Sequence, residues 1–313
     1  MTKAASALNP PPAALGRSPR VPETLDDLRA KIARIERKPR TFDAPADGDA
    51  PWRMGVAEMD CRLGPLGLAA DGVHHYQAAP PEEGPPLTMS VASTQAFMLA
   101  VAAGRLAQFA PPVPPARGHA PEPDILWCVR ASFAREFGRL SRAGLRAFGL
   151  DPDRVLIVEA RRDDDVLWAL EEALRSRAMR LVAGCISDVA LTPARRLALA
   201  CAEGATPLLM MTDPRASPVA AAATRWRISP LPSAPHPLCA DMPGAPRFSV
   251  RLERCRAAPL AAADQSPVAL EWCHDTFSFR MAHEFSDRTF APDPAPGRRS
   301  EPPGRVIAWP SAA

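Results

Sequence analysis

Short apolar runs alternate with longer segments of helical periodicity from residue 73 to residue 212. The apolar runs read VHHY, DILWCV, DRVLIVEA, MRLVAGCI and TPLLMMT, and the segments between them repeat apolar residues every three or four positions. Strands that alternate with helices are typical of a mostly parallel sheet with helices on both faces. The pattern therefore predicts an α/β fold in which helices cover both faces of the strands between residues 124 and 212.

Three of the intervening segments predict helices of different character. A nearly all-apolar helix is predicted over residues 88–108, and an amphipathic helix over residues 133–150 that ends near Gly149. The segment TPARRLALACAEGA carries a proline in its first turn, a position that tolerates proline in a helix.

A fourth helix is predicted over RRDDDVLWALEEALRSR, residues 161–177. Either Asp163 or Asp164 is expected to cap its first turn, because a carboxylate accepts hydrogen bonds from the unpaired amides there. The apolar residues that share its buried face are Val166, Leu170 and Leu174.

Three segments beyond residue 212 alternate apolar and polar residues at period two. They read ATRWRISP, PRFSVRLERCR and PVALEWCHDTFSFR. This alternation is typical of half-buried strands, and we expect these segments to extend the sheet as antiparallel strands.

The first of these strands places Arg225 and Arg227 on one face and Trp226 with Ile228 on the other, because side chains alternate along a strand. One interpretation is a core tryptophan beside two solvated arginines. The other is that the arginines contact phosphate or an acidic partner, on a surface enlarged by the basic run of the next strand, which starts at Arg247. The candidate partner or DNA contacts are Arg225, Arg227, Arg251, Arg254 and Arg256.

Proline-rich segments set the expected domain boundaries. The chain has 38 prolines in 313 residues, and they cluster where neither helix nor strand is predicted. Residues 1–20 and 291–313 are expected to be disordered tails, residues 21–45 an N-terminal helix and linker, and residues 46–290 the α/β domain.

The N-terminal helix is a candidate docking element. In PETLDDLRAKIARIERK, Leu28, Ile32 and Ile35 recur at helical spacing and form an apolar stripe that must be buried. Two alternatives remain open, since the stripe can pack on its own domain or on another chain.

Composition narrows the function classes. The formal net charge of +3 does not by itself indicate a nucleic-acid binder. The seven cysteines form no C-x-x-C pair, and the sequence contains neither a signal-peptide core nor about 18 consecutive apolar residues. We therefore expect a cytoplasmic protein with reduced thiols and no membrane partner. Adjacent His74 and His75 point to opposite faces of a strand, which disfavours a shared metal, and no catalytic residue is predicted.

Two stretches carry a family resemblance. MDCRLGPLGLAADGVHHY resembles the segment that leads into the core of RecA-type recombinases, and the succession of strands after it follows the same order. The spacing at Gly149–Pro152, the RRDDDVLWALEEALRS helix and the TRWRI strand resemble the inducible-mutagenesis protein A (ImuA) family, over about residues 24–283. The resemblance implies that residues 46–290 form a RecA-like domain.

The segment expected to form the phosphate loop of such a domain lacks the residues that bind phosphate. A phosphate loop needs the pattern Gly-x-x-x-x-Gly-Lys-Ser/Thr, whereas residues 77–88 read QAAPPEEGPPLT, with one glycine, four prolines and no lysine. Glu82 and Glu83 would also repel a triphosphate. No carboxylate follows the second strand at CVRASF, and Cys185 stands where a magnesium-binding acid is expected. We therefore predict no nucleotide cofactor and no ATPase activity.

The resemblance implies a non-catalytic adaptor in SOS-induced translesion DNA synthesis. Its implied partners are an ImuB-like inactive Y-family polymerase homologue and an error-prone C-family DNA polymerase, with DNA and a RecA-type recombinase as further candidates. Two alternatives remain, a weak DNA-dependent ATPase or RecA-like DNA-binding protein, and an SOS cell-division inhibitor.

Overall fold

The computed structural model describes residues 51–282, except 84, 110–121, 237–238, 259 and 261–264. All of the described residues belong to one compact unit of the chain, which begins at Ala46. The predicted tails, the N-terminal helix with Leu28, Ile32 and Ile35, and the linker lie outside the described residues, so those assignments stay predictions.

The described residues form six α-helices and eleven strands. The helices are α1 (Ala57–Leu63), α2 (Leu87–Leu106), α3 (Ala131–Phe137), α4 (Arg142–Ala147), α5 (Asp163–Ser176) and α6 (Leu191–Gly204). The strands are β1 (Val73–Ala78), β2 (Ile125–Arg130), β3 (Val155–Ala160), β4 (Leu181–Cys185), β5 (Leu208–Met211), β6 (Thr224–Leu231), β7 (Pro235–His236), β8 (Cys239–Pro243), β9 (Arg247–Cys255), β10 (Val268–Cys273) and β11 (Ser278–Met281). Single 3-10 turns span Pro81–Glu83 and Pro152–Arg154.

A nine-stranded sheet organises the fold, in the order β11-β10-β9-β6-β1-β5-β4-β2-β3. The six strands from β6 to β3 are parallel to one another, and β9, β10 and β11 continue the sheet in antiparallel fashion. The predicted α/β class, with a mostly parallel sheet extended by C-terminal antiparallel strands, is confirmed. The prediction for β6 was wrong in one respect, because this strand runs parallel to β1 and only its other edge pairs antiparallel, with β9.

Two apolar layers cover the sheet. Helix α2 packs against β1 and β6 on one face, and α5 and α6 pack on the other face. The predicted face of α5 is confirmed, since Val166, Leu170 and Leu174 are fully buried. Within the described part of the chain, α2 is the one helix long and apolar enough to cross a membrane, but 61% of its apolar window is buried inside the fold.

Three local predictions were wrong. The helix predicted over residues 133–150 is two helices, because Gly138 adopts a φ of 99° and Ser141 starts a new helix by accepting a hydrogen bond from the Gly144 amide. The N-cap of α5 is Arg162 and makes no side-chain capping bond, so neither predicted aspartate caps the helix. Strand β3 lies at the sheet edge, which leaves Leu156 45% exposed instead of covered.

Candidate functional site

Residues 77–88 connect β1 to α2 and include the last residues of the strand and the first of the helix; we call this segment the proline turn. It is held by the Ala79 amide, which donates to the Ile228 carbonyl at 2.7 Å, and helix α2 begins directly after Pro86. The amides of Met89 and Ser90 donate back to the Pro86 carbonyl, and the four prolines have no amide to offer. Four positions of the turn therefore offer none of the backbone donors that a bound phosphate requires.

A cation occupies the end of β2, where a RecA-type ATPase would carry an acidic general base. Arg130 donates to the Asp163 carboxylate at 3.3 Å and to the Ser187 hydroxyl, joining the ends of β2 and β4 to the first turn of α5. Sequence reasoning missed this network, although an arginine ending a strand and an aspartate opening a helix were both visible. The arrangement ties three elements together, and its one carboxylate is paired with the Arg130 guanidinium.

The position of the expected magnesium-binding acid is also unsuited to a metal. Cys185 is fully buried, and burial raises the pKa of its thiol to about 12, so the sulfur stays protonated. Asp188 is exposed and accepts a hydrogen bond from the Val189 amide. Among the described residues, no three His, Cys, Asp or Glu side chains come close enough together to hold a metal ion.

The adjacent histidines of β1 have separate structural partners. His74 contacts the Thr224 hydroxyl and the Ala69 carbonyl at 2.8 Å each, whereas His75 contacts the Thr212 hydroxyl at 2.9 Å. Burial lowers the pKa of His74 to about 4. Burial, with the nearby positive charges of Arg225 and Arg227, lowers the pKa of His75 to about 3. Both rings are therefore neutral near pH 7.

Strands β6 and β9 bring four of the predicted arginines together. Arg227 lies opposite Arg251, and Arg225 lies opposite Arg254, where a register shift in β6 starts. We call these four residues the arginine face. Like charges on opposed strands repel one another, so this arrangement costs the fold free energy unless something compensates the charge.

One carboxylate compensates part of this charge. Arg227 donates from Nε to the Glu253 carboxylate at 2.6 Å, and both side chains are largely buried. Arg251 forms no ion pair with any described residue, and the buried Nε of Arg225 has no hydrogen-bond partner. The arginine face therefore keeps a net positive charge. Arg247, the start of the basic run, instead pairs with Glu271.

The last two predicted arginines also contact backbone carbonyls. Arg254 donates to the Ala220 carbonyl at 3.1 Å, and Arg256 donates to the Ala221 carbonyl at 3.5 Å. Both carbonyls belong to the connection between β5 and β6. Arg256 therefore lies next to Arg254, at the end of the arginine face that adjoins helix α6.

A pocket of about 330 Å³ joins the arginine face to the proline turn. Arg227 and Arg251 line it together with the hydroxyl-bearing Ser229 and Ser249, and Pro85 closes one side. Guanidinium and hydroxyl groups in this arrangement can bind a carboxylate or a phosphate oxygen.

Comparison with known proteins decides the family. No protein-family model matches the chain. Two proteins named Protein ImuA, from two strains of Caulobacter vibrioides, are each 32% identical to it over 185 residues, which cover 56% of this chain and 72% of the relative. The chain belongs to the ImuA family. Membership of the ImuA family confirms the resemblance seen in the sequence and connects the chain with damage-induced mutagenesis.

We expect this ImuA-family chain to show no specific ATP binding at ordinary concentrations. The proline turn lacks the lysine that holds phosphates, four of its twelve residues are prolines without an amide, and it contains the exposed Glu82. Titration calorimetry with ATP and magnesium should show no saturable heat up to about 1 mM. A micromolar affinity that disappears when Glu82 and Glu83 are replaced by bulky residues would contradict this expectation.

Proposed function

We propose that this chain is a non-catalytic accessory protein of damage-induced mutagenesis. In this role it binds an ImuB-like inactive Y-family polymerase homologue and an error-prone C-family DNA polymerase in the cytoplasm. Membership of the ImuA family supports a role in damage-induced mutagenesis. The observation that carries the non-catalytic role is the proline turn, which stands where a nucleotide would be held and lacks the required groups.

The arginine face is the proposed docking surface for the polymerase homologue. Its cross-strand pairs place like charges side by side, and Glu253 neutralises only one of them. An acidic partner surface would supply the missing carboxylates. Each charge-assisted hydrogen bond contributes about 1.5–3 kcal/mol when it is desolvated and far less at an exposed rim.

DNA is a second candidate for the same surface, and the pocket beside the proline turn favours it. Two arginines and two serine hydroxyls in one pocket match the groups that commonly contact phosphodiester oxygens. Salt weakens both complexes, but only the DNA complex is expected to lose affinity linearly in log–log form, with a slope set by the number of phosphate contacts.

The test reverses the charge of Arg225 and Arg251, the two members of the arginine face whose side chains make the fewest polar contacts within the fold. We expect the double variant Arg225→Glu, Arg251→Glu to capture the polymerase homologue, or to shift DNA in a gel, at least about tenfold more weakly than wild type, a change of about 1.4 kcal/mol. Arg227→Glu is a poorer choice, because it would bring a second carboxylate against Glu253.

Arg146→Glu is the matched control, since Arg146 is exposed on α4. Circular dichroism should show all variants folded. If the double variant captures the polymerase homologue and shifts DNA as the control does, the arginine face is only a solvated surface and the proposed docking site is rejected.

A further inference from the structure

A second surface lies on the far side of helix α6 from α5. A groove of about 540 Å³ runs between α6 and the connection that precedes β6. Leu191 and Leu199 of α6 line it and are 48% and 56% exposed. We call it the leucine groove.

The fold itself does not need these two leucines. Helix α6 buries a separate stripe against the sheet, through Ala194, Leu197 and Cys201. Leu191 and Leu199 lie outside that stripe, and exposed large apolar residues grouped in a concave surface are typical of interaction sites.

Small residues give the groove its depth. Ala198 and Ala202 line it on the helix side, and Ala220 and Ala221 form the opposite wall. That wall is held from below, because Arg254 and Arg256 donate to the two alanine carbonyls. The groove therefore has one wall formed by helix α6 and one wall whose backbone is fixed by hydrogen bonds from Arg254 and Arg256.

Two arginines give the groove a positive rim. Arg195 and Arg256 both line it, and its lining contains no carboxylate among the described residues. The neighbouring Arg196 shows the contrast, because it turns to the other side of α6 and pairs with Glu171 of α5. Arg195 makes no ion pair with any residue that the structure describes.

The spacing of the leucines indicates the shape of the occupant. They are eight residues apart on one helix, which corresponds to about 12 Å, or two helical turns. Helices that bind in grooves insert apolar residues at positions i, i+4 and i+7, over the same length.

We propose that the leucine groove binds an acidic amphipathic helix of a partner protein. The apolar side chains of that helix would pack between Leu191 and Leu199 and over the alanines, and its flanking carboxylates would meet Arg195 and Arg256. The groove floor is apolar and offers no donors for phosphate, so a nucleic acid fits it less well. The lining of the groove shares no residue with the pocket beside the proline turn, and its occupant does not depend on the proposed role of the arginine face.

The experiment measures fluorescence anisotropy with the full chain and a labelled helical peptide. The peptide carries leucines at i, i+4 and i+7 with glutamates beside them, and a scrambled peptide of the same composition serves as the reference. We expect saturable binding of the first peptide only. Leu199→Asp should weaken binding at least tenfold, and Arg195→Glu with Arg256→Glu should also weaken it while improving binding of a lysine version of the peptide.

Leu66→Asp is the matched control, because Leu66 is 71% exposed outside the groove. The Arg225→Glu, Arg251→Glu variant should bind the peptide like wild type, which separates this surface from the arginine face. Equal binding of the scrambled peptide, or no effect of Leu199→Asp, overturns the proposal. So does displacement of the peptide by an oligonucleotide, or sedimentation showing a wild-type dimer that Leu199→Asp dissociates.

Discussion

Replacing Trp226 by alanine is expected to lower the free energy of unfolding by about 3–5 kcal/mol. The indole is 1% exposed, stacks on Tyr76 at 6.2 Å between ring centroids, and contacts Phe97 at the same distance. Its Nε1 also donates to the Thr224 hydroxyl at 2.6 Å, which in turn contacts His74. The substitution therefore leaves a cavity and removes a partner from a buried polar group.

Guanidinium unfolding followed by circular dichroism measures this effect. Trp168→Ala is the control, because Trp168 is 68% exposed on α5 and its loss should change stability by less than about 0.5 kcal/mol. Comparable destabilisation by the two variants would show that Trp226 contributes no more than a surface residue.

Acidification is expected to unfold the protein through the two histidines of β1. Burial lowers the pKa of His74 to about 4, and burial together with Arg225 and Arg227 lowers the pKa of His75 to about 3, against 6.5 for an ordinary histidine. Since the unfolded chain takes up these protons first, the stabilisation is fully present above pH 6.5 and is lost as the pH falls. As the pH falls, each histidine lowers the free energy of unfolding by about 1.4 kcal/mol per pH unit. Between pH 6.5 and pH 5 this amounts to about 2 kcal/mol for each ring.

The measurement is the free energy of unfolding at several pH values between 7.5 and 5. His75→Gln keeps a polar group near Thr212 but cannot be protonated, so its stability should fall less steeply with decreasing pH. An unchanged slope in His75→Gln would show that His75 is not kept neutral by the fold.

The periodicity of the sequence predicted which faces are buried, because burial follows directly from the spacing of apolar residues. Val166, Leu170 and Leu174 on α5, and Trp226 with Ile228 on β6, are all buried as expected. Strand direction does not follow from periodicity. Strand β6 pairs with the edge of β1 that β5 does not occupy, and it runs parallel to β1. A period-two pattern is the same for a parallel and an antiparallel strand, so the sequence could not show this.

The sequence predicted which arginines share a face in the candidate site, but it did not predict which carboxylate pairs with them. Alternation placed Arg225 and Arg227 on one face, which the half-buried arginines and buried Trp226 bear out. The ion pair of Arg227 with Glu253 depends on the register between β6 and β9, which shifts at Arg225. Likewise, the contact of Arg130 with Ser187 joins positions 57 residues apart that only the sheet order brings together.

The prolines of the turn after β1 affect how the chain reaches its folded state. Pro80, Pro81, Pro85 and Pro86 restrict the backbone already in the unfolded chain, so ordering this turn costs less conformational entropy than ordering a glycine-rich loop. A glycine-rich phosphate loop gains much of its order from the nucleotide, and ligand linkage then raises the melting temperature with nucleotide concentration. A turn stiffened by its own covalent structure can be ordered without that contribution, so for a chain that binds no nucleotide, as we expect here, the stability of the domain should not change with nucleotide concentration.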